Sequence, residues 1–128
     1  MPWRLGVVFR ILQSYYAVGM KTCVAAIDCG TTAVKSAIVG LDGGIRGFSS
    51  RPCPCIQHPD GRIENDPRSI MKACLSSLRS AMDRSGVHPR NVEGLSIANQ
   101  RATVLCVDAH GGELGNAISW QDMRGAAQ

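Results

Sequence analysis

A chain of 128 residues with 45% hydrophobic and 19% charged content has the size and composition of one globular domain, which excludes a disordered, collagenous or coiled-coil protein. The formal charge of +4, from 14 basic and 10 acidic residues, comes without a Lys/Arg run and with 5% aromatics, so no nucleic-acid partner is expected. No membrane span is expected either, because Arg10, Gln13 and Lys21 interrupt the only apolar stretch that approaches the roughly 18 residues required.

Residues 1–19, MPWRLGVVFRILQSYYAVG, differ in character from the rest of the chain and read as a disordered extension, with Met20 an alternative start and 20–128 the folded portion. Cys23 to Ile27 is a short apolar run that predicts a strand, and Ala33 to Leu41 predicts a second, joined to it by a tight hairpin. Asp42-Gly43-Gly44 is a strong turn signal, so Ile45 to Ser50 reads as a third antiparallel strand. Arg51 to Gly61, with Pro52, Pro54 and Pro59, reads as a surface loop.

Asp66-Pro67 announces a helix, since an aspartate side chain accepts from first-turn amides and proline at the first position loses no hydrogen bond. Ile70, Cys74, Leu78 and Met82 recur every four residues and, with Met71, Leu75 and Ala81, predict the face that packs on a sheet. Ser85-Gly86 stops the helix. Val92 to Ala98 and Thr103 to Val107 come next as strands, and a last apolar segment ends at Trp120. The predicted order is β-β-β-α-β-β, an α/β architecture with mixed pairing and no internal repeat.

Cys23, Cys29, Cys53, Cys55, Cys74 and Cys106 are too sparse for a secreted disulfide framework, so reduced thiols and a cytoplasmic setting are expected. Cys53-Pro54-Cys55 is the one close pair, and His58, His88 and His110 are too scattered to complete a zinc site.

The sequence Asp28-Cys29-Gly30-Thr31-Thr32 lies at the first hairpin. Gly30 permits close approach of a ligand to the backbone, the Thr31 and Thr32 amides and hydroxyls can donate to phosphate oxygens, and Asp28 can hold a hydrated Mg²⁺. Lys35 adds positive charge on the next strand. The loop is no Walker motif, and Asp, Gly and Thr also serve simply as turn formers.

Four blocks taken together resemble the N-terminal part of the FGGY carbohydrate kinases, of the glycerol kinase and xylulokinase kind. They are Asp28 to Thr32, Gly61-Arg-Ile-Glu64 ahead of Asp66-Pro67, Asn99-Gln-Arg101 at a strand end, and Asn116-Ala-Ile-Ser-Trp-Gln121. The resemblance implies an incomplete actin-like (ribonuclease H-like) ATPase domain that uses ATP and Mg²⁺ to phosphorylate a hydroxyl of a sugar or polyol, within a homo-oligomeric full-length protein. On this resemblance Asp28 serves magnesium through water, and Gly30, Thr31, Thr32, Ala33 and Lys35 contact the nucleotide. Arg101, Ala102, Trp120 and Asp122 lie at the substrate. Arg124 reads as a surface partner of Asp122 or, with it, as a lining of the substrate entrance.

Two positions depart from the glycerol kinase pattern. Lys35 stands for an arginine, which keeps the charge but not a bidentate grip, and Ala102 stands for a glutamate, which removes a hydroxyl acceptor. The family's general-base aspartate and adenosine pocket are expected beyond residue 128, so the chain alone is expected to be inactive. Two other classes stay open at this point: a non-catalytic phosphate- or sugar-binding module, and a redox or metal protein built on Cys53 and Cys55.

Overall fold

The computed structural model describes residues 23–125, so the expected extension over 1–19 and the alternative start at Met20 lie outside the described residues. β1 (Cys23–Cys29), β2 (Ala33–Gly40) and β3 (Ile45–Pro52) form the expected antiparallel meander. The turn between β2 and β3 closes through Gly40 N–H donating to Gly44 O at 2.8 Å, with Gly43 at φ 81°. Helix α1 (Pro67–Ser85) comes later in the chain, and β6 (Val92–Asn99) then enters the sheet beside β1 and parallel to it. The resulting order β3-β2-β1-β6 is a mixed sheet.

The signals flanking α1 act as the sequence predicts. The Asp66 carboxylate accepts from Arg68 N at 3.1 Å and Ser69 N at 3.2 Å, and Gly86 ends the helix in the left-handed region at φ 64°. The packing face differs from the predicted stripe. Ala73, Ser77 and Ala81, spaced by four, are the buried row, while Ile70, Cys74, Leu78 and Met82 flank it half-buried. Met71 and Leu75 are 60% and 59% exposed, a correction to the expected core. They sit two residues from the buried row, more than half a helical turn away.

Small side chains in that row let α1 lie close to the sheet. Ser77 Oγ donates to Ser49 O at 3.1 Å, and Gly47 of β3 passes directly beneath Ala81 and Ser85. One core cluster joins Cys23, Ala25, Ile38 and Ala81, and a second joins Ile27, Val34, Cys53 and Ala73.

The segment expected to be a plain loop carries β4 (Ile56–Gln57), which pairs with β5 (Ile63–Asn65). Its prolines do not oppose this, because Pro52 ends β3 and Pro59 lies in the turn that His58 N–H closes on Arg62 O at 2.9 Å. β5 pairs in turn with β7 (Ala117–Ile118), giving a second sheet, β4-β5-β7. The strand expected over Thr103 to Val107 is not formed as such. Val104 and Val107 make isolated bridges to Ile118 and Glu113, and the segment's Val104, Leu105 and Val107 are exposed, with no layer among the described residues to bury them. No helix among the described residues is long and apolar enough to cross a membrane.

Candidate functional site

Parallel pairing of β1 with β6 brings their carboxyl ends to the same edge of the sheet, where open α/β sheets commonly place ligands. Cys29 is opposite Asn99, and Gln100 N donates to Cys29 O at 3.0 Å, so the chain leaving β6 toward Arg101 runs beside the turn Gly30-Thr31-Thr32.

That turn is narrow. Gly30 N–H donates to Ala33 O at 3.1 Å, and a Cβ on Gly30 would lie 3.0 Å from the same oxygen, which accounts for glycine there. Cys53 N–H donates to Thr32 O at 2.8 Å and pins the far side. The backbone N–H groups of Thr31 and Thr32 have no acceptor among the described residues, so two adjacent donors remain for an anion.

Asp28 and Lys35 are cross-strand partners on the sheet face opposite α1, where they line a shallow pocket of about 300 Å³ with Ala26, Ala37, Phe48 and Ala98. They do not form an ion pair. Asp28, Thr32, Lys35 and Arg101 all leave their side chains without a hydrogen-bond or ion-pair partner among the described residues. By contrast Arg62, Arg68 and Arg124 are all paired with carboxylates. Ala102, beside Arg101, has φ 59°, a left-handed backbone that costs a non-glycine residue about 1–2 kcal/mol. It turns the chain sharply out of β6.

Trp120 approaches the same turn from the second sheet. The residue is 54% exposed, and its indole Nε1–H donates to Thr31 Oγ1 at 3.0 Å. Cys55 lies alongside, with Sγ 3.6 Å from Thr31 O and accepting from Asn65 Nδ2 at 3.2 Å. Ala33, another of the positions expected at the nucleotide, opens β2 opposite Pro52.

Asp122 holds the Trp120 segment down. One carboxylate oxygen accepts from Ile63 N at 2.9 Å, and both accept from the Arg124 guanidinium, which together hold its carboxyl well below the usual carboxylate range, the Arg124 bonds contributing most. Arg124 also reaches Glu64 at 3.5 Å. The Asp122 acceptors are thus already engaged within the fold. Sequence reasoning did not single out Glu64, Asn65 or Cys55 as neighbours of the site; only the Gly61 to Glu64 block pointed to that region.

None of the six cysteines is disulfide-bonded. Cys53 faces the core, where burial pushes its thiol up, and Cys55 faces the turn, so the two do not act as a pair. Burial and the neighbouring Cys74 push Cys29 up to about 11, which leaves it a poor nucleophile near neutral pH. No three His, Cys, Asp or Glu residues among those described converge as a metal site, so a cation here would be held by a single carboxylate, water and ligand oxygens, the manner in which Mg²⁺ binds with phosphates.

The fold and the turn define an α/β chain with a narrow hairpin carrying two unpaired backbone donors at the carboxyl ends of parallel strands. Residues 23–128 match the N-terminal domain of the FGGY family of carbohydrate kinases, and the chain belongs to that family. Among its relatives, a glycerol kinase of Nitrobacter hamburgensis is 33% identical over 108 residues, which cover 84% of this chain and 22% of that protein. The crystal structure of xylulose kinase from Rhodospirillum rubrum superposes with a TM-score of 0.71 at 23% identity, over 80% of this chain and 21% of that one. The Plasmodium falciparum glycerol kinase with ADP gives 0.67 at 24% identity, over 80% and 21%. These matches show the actin-like ATPase fold, present here in part. The chain spans about a fifth of the length of such relatives.

Proposed function

We propose that this chain supplies the phosphate-binding turn and one wall of the substrate site of an ATP-dependent kinase that transfers the γ-phosphate to a hydroxyl of a sugar or polyol. The observation that carries the reading is the pattern of unpartnered groups among the described residues: Asp28, Thr32, Lys35 and Arg101, together with the Thr31 and Thr32 amides, are free to bind a ligand at one edge of the sheet. The amides and hydroxyls of the turn orient the phosphates and Lys35 adds charge. Bound at Asp28, Mg²⁺ would offset the charge of the phosphate oxygens. Arg101 donates to adjacent hydroxyls, and the exposed Trp120 ring covers the apolar carbon face.

Phosphoryl transfer depends on positioning and on stabilising spread charge, so residues 1–128 by themselves hold the phosphates of MgATP but do not turn over. A non-catalytic phosphate- or sugar-binding module predicts the same binding. The two readings separate when the chain is joined to the remaining four-fifths of a relative's length: polyol-dependent ADP release supports the kinase, and its absence from a folded chimera favours the module.

Specificity depends on the two residues leaving β6. Arg101→Ala is expected to lower kcat/KM for every acceptor in such a chimera. Ala102→Glu restores a carboxylate acceptor, and since a hydrogen bond to a charged group contributes about 1.5–3 kcal/mol, it is expected to raise glycerol kcat/KM by roughly tenfold or more. Ala102 already occupies the left-handed region, so the longer side chain meets a backbone cost the alanine also bears. A wild-type chimera that prefers glycerol to pentoses and pentuloses would overturn the specificity argument and leave the kinase reading intact.

A further inference from the structure

We propose that Trp120 is a positioning residue for the phosphate-binding turn: its indole N–H, 3.0 Å from Thr31 Oγ1, uses that hydroxyl as an acceptor and thereby aims the Thr31 O–H at the bound anion. The inference rests on the kinase reading for the identity of the anion. A threonine hydroxyl has one donor and two acceptor sites. Once an acceptor site is taken by the indole, the side chain is fixed in one staggered rotamer and its proton is left to point elsewhere. The Thr31 and Thr32 amides have no acceptors among the described residues, so an anion held by them is the receptor within reach of that proton.

Without the indole N–H, the hydroxyl is free to rotate and to bond its own backbone, as turn threonines do. Three observations support a positioning role over a chance surface contact. The Trp120 segment is anchored, with Ser119 buried and its N–H donating to Ile63 O at 2.9 Å, and with Asp122 accepting from Ile63 N–H. Thr31 is also contacted through its carbonyl by Cys55, 3.6 Å away, so the turn is held at two points by residues flanking the second sheet. The two bonded residues are 89 apart in sequence, and no local turn geometry forces them together.

Trp120→Phe keeps a ring for the substrate and removes only the donor; Thr31→Val removes the acceptor, and Thr31→Ser restores it. In the full chain with Trp3→Phe, the single remaining indole N–H resonance reports the bond directly. Thr31→Val is expected to shift it upfield and speed its exchange, and Thr31→Ser to leave it near its original position. In calorimetry, Trp120→Phe is expected to weaken MgATP binding by about 3- to 10-fold, the range for one hydrogen bond, with no further loss when added to Thr31→Val. In an active chimera the same variant is expected to raise KM for ATP. Unchanged MgATP affinity in a folded Trp120→Phe chain that otherwise binds MgATP overturns the positioning role and spares the kinase reading. A folded chimera that binds no MgATP overturns the kinase reading and this role with it, whatever the indole resonance shows.

Discussion

Replacing Gly47 with alanine is expected to destabilise the fold by about 3 kcal/mol or more, at the upper end for overpacking a close contact. The added Cβ would lie 2.2 Å from Ala81 O, 2.7 Å from Ser85 N and 2.8 Å from Ser85 Cβ. Two of these atoms are helix backbone and cannot turn aside as the tip of a long side chain does, so α1 must retreat as a unit. That retreat opens the core cluster of Cys23, Ala25, Ile38 and Ala81 and loosens the Ser77 to Ser49 bond. Gly94 of β6 is the control. Nothing lies within 4 Å of its added Cβ, and alanine in its place is expected to change stability by less than about 1 kcal/mol. Urea unfolding of both variants checks the pair, and equal midpoints would show that the helix is not held at the distance described.

The helix and the meander were legible in the sequence because their signals are local. Asp66, Pro67 and Gly86 mark the ends of α1, and alternating apolar residues around Asp42-Gly43-Gly44 mark the hairpin. The small row Ala73, Ser77 and Ala81 was hidden because hydrophobicity favours the larger flanking residues, while close packing against Gly47 selects the smaller ones. Strands of two residues such as β4 and β7 have no period to detect. At the site, the Asp28 to Thr32 loop was legible as a motif, but its approach to Trp120 depends on how the second sheet packs. Nor does the sequence around Ala102 announce a positive φ, since no glycine or asparagine stands there.

Asp28→Asn is expected to leave stability unchanged, because the side chain is exposed and has no hydrogen-bond partner to lose, yet to weaken MgATP binding by roughly 10- to 100-fold, the range for disturbing the immediate environment of a bound metal. The sign of the effect without magnesium distinguishes a metal role from a packing role. Asp28 sits opposite Lys35 near the turn end of the strand pair, so on the proposed reading its negative charge opposes a bare polyphosphate while Lys35 attracts it. Removing the charge therefore favours ATP in EDTA, where the variant is expected to bind as tightly as the parent or more so, and disfavours it in excess Mg²⁺. Calorimetric titrations in the two buffers should show the order of the two proteins reversing. If Asp28→Asn weakens binding equally in both, the carboxylate serves the turn's conformation and not a cation; if it changes neither, the phosphates lie away from Asp28.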